Sequence, residues 1–147
     1  MKTFFDPAVQ QEFQARLARL EPSSPRQWGT MTSAQMLAHC TAALSMCLGD
    51  LPVRRTAAGL IGWMFKGITT EDKPFRRNVP TAAEFTIRDE RPFEAERRAF
   101  QDAFRQLAAG PGAIGCHEHP FFGTLTSEQV GSLVYKHLDH HFRQFGV

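Results

Sequence analysis

Twice in this chain a Thr-x-x-Gln tetrad stands immediately before an apolar stripe of helical period: Thr32 with Gln35, and Thr126 with Gln129. In such a capping box the threonine side chain and the glutamine side chain satisfy the first free backbone N–H groups of a helix, so each tetrad marks a helix start. After the first, Met36, Cys40, Ala43, Leu44 and Cys47 recur at helical spacing until Gly49 and Pro52. After the second, a helix continues to about Gln144. Two further segments carry the same period. Asp6-Pro7 is a carboxylate cap followed by proline at the first helical position, and Val9, Phe13, Leu17 and Leu20 come after it until Pro22-Ser-Ser-Pro25. From about Pro92 to Ala109, Phe93, Phe100, Ala103, Phe104 and Leu107 face inward and Glu94, Glu96, Arg97 and Arg98 outward, before Gly110-Pro-Gly112.

Four amphipathic helices with almost no period-2 alternation predict an all-α fold, a four-helix bundle. Residues 1–147 suit one domain, the usual domain size being roughly 100–150 residues. Between about residues 50 and 90 the periodicity weakens. Leu60 to Phe65 reads as a short helix, and Lys73-Pro-Phe-Arg-Arg-Asn-Val-Pro80 as an extended loop. So long a connection between the second and third helices implies a topology other than simple up-down-up-down.

Charge and cysteine content exclude several classes. The 17 basic and 15 acidic residues are scattered, leaving a formal charge of +2, and Arg76-Arg77 and Arg97-Arg98 are only short pairs, so neither nucleic acid nor an anionic membrane is expected as a partner. Three cysteines, Cys40, Cys47 and Cys116, are too few for a disulfide framework and fit a reducing, cytoplasmic setting. No apolar leader comes after Met-Lys-Thr-Phe-Phe-Asp-Pro. The apolar run from Ala57 to Phe65 is far short of the roughly 20 residues that span a bilayer.

Chemistry concentrates in the last helix, where His137, His140 and His141 lie close together. On a helical wheel of about 100° per residue centred on Val134, the residues Val130, Leu138 and Phe145 fall within about 40° and define a buried stripe. His141 lies near its middle and His137 at its edge, whereas His140 is turned about 120° away. His137 and His141, four apart, therefore project together toward the interior, the spacing with which one helix offers two imidazoles to a metal, with the i, i+3 pair of His137 and His140 as the alternative. A wheel centred on Met36 puts His39 about 60° from the centre of the second helix's stripe, where it can supply a third nitrogen from across the bundle. Buried imidazoles need partners, and the candidates are one another, a carboxylate or a metal. The plainer alternative is a set of hydrogen-bonded core histidines. The residue after His137 is Leu138, so the general-base Glu of a His-Glu-x-x-His protease is absent.

Trp28-Gly-Thr-Met-Thr32 leading to His39, together with His-x-x-x-His-x-x-Gln from His137 to Gln144, resembles the DinB-like superfamily of metal-binding four-helix bundles. An uncharacterised branch is closer still, through His119-Pro-Phe-Phe-Gly123 and His137-Leu-Asp-His-His141. The resemblance spans nearly the whole chain, including Lys73-Pro-Phe75 and Pro80-Thr-Ala-Ala-Glu-Phe85. It implies DinB-like topology and a divalent metal, such as Zn, Ni, Fe or Mn, on His39, His137 and His141. It also implies metal-dependent chemistry on a small molecule, some members using the ion to activate a low-molecular-weight thiol for transfer or isomerisation; hydrolysis by metal-bound water is a further reading of the residues themselves. No catalytic residue carries over.

Gln144, on the His137 side of the helix, and His140 are expected to support the ligands from behind, and Asp139 to lie on a solvated face. His117-Glu-His119, beside Cys116, reads as a loop leading into the last helix rather than as a second metal cluster. Cys40 reads as a small buried hydrophobe. Trp28, Trp63, Met64, Phe65, Phe75, Phe121 and Phe122 lie outside the stripes, where they can line a pocket, close the bundle ends or bury against a second copy in a homodimer. The competing reading is a non-catalytic bundle that binds a small ligand or protein partner, its histidines structural or vestigial.

Overall fold

Asp6 accepts from the N–H of Ala8 at 2.9 Å and so starts α1 (Pro7–Arg19), with Pro7 in the first turn where its missing N–H costs nothing. The computed structural model of the chain describes residues 2–55, 57, 62–71, 73–77, 81 and 83–147, except for the side chain of Trp63. Both capping boxes form. Thr32 and Gln35 open α2 (Ser33–Leu48), and Thr126 and Gln129 open the last helix, each with the reciprocal pair of side-chain to backbone bonds. Gly49 ends α2 at φ 84°, a left-handed conformation that a side chain would strain.

After a 3₁₀ turn at Trp63–Phe65 comes the short α3 (Gly67–Thr70), then a 3₁₀ turn at Ala83–Phe85 and α4 (Phe93–Ala108). Another 3₁₀ turn, Pro111–Ala113, precedes an antiparallel hairpin of β1 (Glu118–His119) and β2 (Gly123–Thr124), with His119 opposite Gly123. The last helix, α5, runs Ser127–Gln144. The protein is thus mostly helical with one small two-stranded sheet among the described residues. No described helix is long and apolar enough to cross a membrane. Of the expected short helix over Leu60 to Phe65, Leu60 and Ile61 lie outside the described residues, as do Asn78, Val79, Pro80 and Ala82 of the quoted loop motifs.

The core is built largely of aromatic and leucine side chains from the four long helices. Phe13, Leu37, Leu44, Phe100, Leu107, Leu138 and Phe142 are essentially inaccessible to solvent. Phe142 meets the rings of Phe13 and Phe100 at centroid distances of 5.7 and 5.8 Å, the tilted arrangement that aromatic quadrupoles favour. Phe122, expected among the loop aromatics, is buried in this core because the hairpin turns its ring inward, whereas Met64 and Phe65 are exposed.

Burial on α5 is much wider than the stripe centred on Val134. Asp139, expected on a solvated face, is buried and pairs with Arg16 of α1 at 2.9 Å and with Arg143 at 2.9 Å. Lys136 is buried too, its ammonium donating to the carbonyl oxygens of Ile68 and Glu71 around the end of α3. A single-sided wheel fails here because α5 is covered from several directions. The N-terminal segment lies against it through Phe4 N–H to Gly131 O at 3.0 Å. A Cβ at Gly131 would come within 2.4 Å of Thr3 Oγ1 and 2.8 Å of the Phe5 ring, so glycine is what admits that segment.

Candidate metal centre

Two helices and one short turn position the histidines. The i, i+4 spacing on α5 sets His137 and His141 edge to face with ring centroids 4.7 Å apart, and α2 brings His39 to 4.9 Å from His137 and 4.6 Å from His141. One ring nitrogen from each lies within 4.8 Å of the others, so the three can hold a metal ion. His39 and His141 are buried, while His137 keeps partial solvent access even though protein atoms crowd around it.

The outer bonds decide which nitrogen faces inward. His39 Nδ1 lies 2.7 Å from the carbonyl oxygen of Phe85, which can only accept, so Nδ1 carries the proton and Nε2 presents a lone pair. For His141 the decision is passed through an amide. Gln144 Nε2 donates to Trp28 O at 2.8 Å, which turns Gln144 Oε1 toward His141 Nδ1 at 2.9 Å. His141 Nδ1 is therefore the donor, and its Nε2 is likewise free of a proton. His39 Nε2 and His137 Nε2 are 2.9 Å apart. Since His39 Nε2 has no hydrogen, the metal-free pair is satisfied by His137 Nε2–H donating to it.

Electrostatics keeps all three neutral. Burial pushes His137 well below its ordinary value of 6.5, and repulsion from His141 and His39 adds to it. Burial takes His141 down to about 3, with His39 adding and the bond to Gln144 opposing. His39 is lowered by burial against the raising effect of Phe85 O. A neutral imidazole is the form that ligates a metal, so at neutral pH the ion does not compete with imidazolium formation.

Of the residues expected to support the ligands, Gln144 touches His141 rather than the His137 side on which the wheel places it. His140 lies edge-on to His141 at 5.0 Å and to Trp28 at 5.3 Å, and near Phe75 at 6.4 Å. Burial lowers its pKa, and a hydrogen bond to the backbone of Phe75 opposes the shift. Trp28 is covered by the Arg77 guanidinium at 4.1 Å from the ring centroid. Phe75 also receives the Lys136 ammonium at 4.9 Å. The side chain of Trp63, expected among the pocket aromatics, lies outside the described residues.

The stretch from Cys116 to His119 is not brought together as a cluster. His117 Nδ1 donates to Leu125 O at 2.9 Å, Cys116 Sγ approaches Glu118 O at 3.6 Å, Glu118 Oε1 accepts from the Thr124 hydroxyl, and His119 Nδ1 accepts from the loop backbone. Cys40 is fully buried beside Met36 Sδ at 3.7 Å, and burial raises its thiol far above the usual range. Lys136 and Asp139 are polar residues that sequence reasoning alone misses. Their one signal is an opposite-charge pair at i, i+3 on the last helix. An open groove of about 390 Å³ between α1 and α5 is lined by Glu12, Arg16, Arg19, Asp139 and Arg143 and includes none of the histidines.

Comparison with curated proteins and with solved structures gives no significant match. A family model described as "Protein of unknown function (DUF1569)" matches residues 7–146, and the chain belongs to that family.

Proposed function

We propose that this is a divalent-metal-binding protein of DinB-like four-helix topology, with His39, His137 and His141 as the ligands and a small molecule as substrate. The observation that carries the reading is the pair of outer bonds, Phe85 O on His39 and Gln144 on His141. Both orient Nε2 lone pairs inward, as the outer partners of metal-bound histidines commonly do. Three imidazoles are one short of the four protein ligands usual in a closed structural site, which suits a reactive metal. Bound there, a divalent ion supplies Lewis acidity, lowering the pKa of water or of a thiol. The best-supported activity is transfer involving a low-molecular-weight thiol or hydrolysis, in a cytoplasmic setting.

Elemental analysis of untagged protein tests this directly. About one Zn, Ni, Fe or Mn per chain is expected, with loss of the metal in His141→Ala and retention of helical circular dichroism. Metal-free wild type that neither purifies with nor takes up any of these ions would overturn the reading.

The alternative is a non-catalytic bundle, favoured by the His39–His137 bond at 2.9 Å, through which two rings satisfy each other without an ion. In that reading Met64, Phe65 and Ile68, exposed large apolar side chains among the described residues, bind a partner or a second copy. It requires a concentration-dependent mass in sedimentation and no metal uptake.

A further inference from the structure

Trp28 is clamped to the end of α5 by two bonds. The Gln27 N–H donates to Gln144 O at 2.7 Å, and Gln144 Nε2 donates to Trp28 O at 2.8 Å. The indole meets His140 edge-on at 5.3 Å, and Phe75 approaches the same histidine at 6.4 Å. Over the indole lies the Arg77 guanidinium, 4.1 Å from the ring centroid. The Trp28 backbone is thus fixed, while Arg77 is exposed and reaches it from a different segment.

Two donor groups of this stack lack an acceptor among the described residues. Trp28 Nε1 is closed to solvent and has no hydrogen-bond partner there. A buried indole N–H is normally paired, because an unpaired one forfeits the bond it made with water. Arg77 adds five N–H groups. Contact with a ring uses the flat face of a guanidinium, whereas its donors lie in the plane and point outward. No carboxylate or carbonyl among the described residues takes them. The charged neighbours are already matched. Asp139, next to His140 in sequence, pairs with Arg16 and Arg143, and Lys136, over Phe75 at 4.9 Å, donates to the carbonyl oxygens of Ile68 and Glu71. Within the Trp28–Arg77 stack this leaves one positive charge and one neutral N–H, in contact with each other.

We propose that Trp28 and Arg77 form a binding site for the carboxylate group of a small molecule, with the Arg77 fork on its oxygens and Trp28 Nε1–H donating to one of them. The unmatched charge sets the ligand class. A single guanidinium balances the single charge of a carboxylate, and its planar fork matches that planar group. A phosphate monoester carries close to two charges at neutral pH and calls for more cations. Because Nε1 is closed to solvent, the carboxylate reaches it together with Arg77, whose exposed side chain swings from the face of the indole to its edge. The site stands on these contacts alone and does not require an ion on the histidines.

The test titrates the full chain, as purified, with benzoate, using benzamide as the uncharged counterpart and inorganic phosphate as the competing oxyanion. Indole N–H signals are followed in proton–nitrogen correlation spectra, and Trp28→Phe identifies the Trp28 signal. Benzoate should move that signal downfield in a saturable way. Arg77→Gln, a change at an exposed position, should weaken benzoate binding about tenfold, the effect of losing a hydrogen-bonded charge partner. Trp28→Phe keeps a ring under Arg77 and removes the N–H, and should weaken it about threefold. Benzamide and phosphate should each bind about tenfold or more weakly than benzoate. No saturable benzoate binding, a Trp28 N–H unmoved at saturation, equal affinity in Arg77→Gln and wild type, or benzamide binding as tightly as benzoate overturns the proposal. Phosphate binding more tightly than benzoate overturns the carboxylate assignment.

Discussion

The side-chain amide of Gln144 donates to the carbonyl oxygen of Trp28 at 2.8 Å, across 116 residues of sequence, and that bond determines which end of the amide meets His141. An ambiguous amide is thereby made into an obligatory acceptor. Replacing it by Gln144→Leu removes the partner of His141 Nδ1–H without touching a ligand. Metal affinity, measured by competition with a chromophoric chelator, should fall on the order of 10–100-fold, the usual effect of deleting the hydrogen-bond partner of a ligating histidine.

Gly29 carries the same constraint from the other side. It adopts φ 76°, and a Cβ there would stand 2.6 Å from Gln144 Nε2. Gly29→Ala should therefore both strain the turn and push the amide off Trp28, at a cost of about 1–2 kcal/mol in urea unfolding, with weakened metal binding as a second readout.

Metal-free protein should lose stability on mild acidification. His141 has a folded pKa of about 3 and His119 of about 4, against an ordinary value of 6.5. Above 6.5 both the folded and the unfolded histidines are neutral, and stability does not depend on them. Below it the unfolded chain takes up protons that the folded chain refuses, so unfolding is favoured progressively as pH falls from about 6.5 toward 3. Urea titrations of apoprotein at pH 8, 6 and 5 should show a flat region and then a decline; a stability that rises below pH 6.5 would contradict the burial of these rings.

Arg16 and Asp139 test the frame rather than the site. They form a buried ion pair at 2.9 Å, and Arg16 also donates to the Val147 oxygen at 2.8 and 3.0 Å. Asp139→Ala removes the carboxylate shared by Arg16 and Arg143 but leaves Arg16 its contacts with Glu12 and Val147, and should cost about 1–3 kcal/mol. Because this pair lies on the α1 side of α5, away from the triad, any variant that still folds should bind metal with unchanged stoichiometry by elemental analysis.

Local signals are legible where one segment decides its own structure. Thr32 with Gln35 and Thr126 with Gln129 place both helix starts, and the i, i+4 spacing of His137 and His141 puts their rings on one side of α5. What stays hidden depends on several segments at once. Asp139 and Lys136 look like surface residues until α1 and α3 are laid over them. The hairpin around residues 118–124 has strands of two residues each, too short for alternation to appear, and is held instead by His117 and Leu125 bonding each other twice. The wheel puts Gln144 beside the wrong histidine because it gives direction but not the pull of the Trp28 carbonyl.

The bond between His39 and His137 joins positions 98 residues apart. An unfolded or half-formed chain can present the two imidazoles of α5 as soon as that helix coils, but the third arrives only after the long loop has closed, the slow and entropically costly stage of folding. Capture of an ion by all three imidazoles would then wait until the chain's two halves have met.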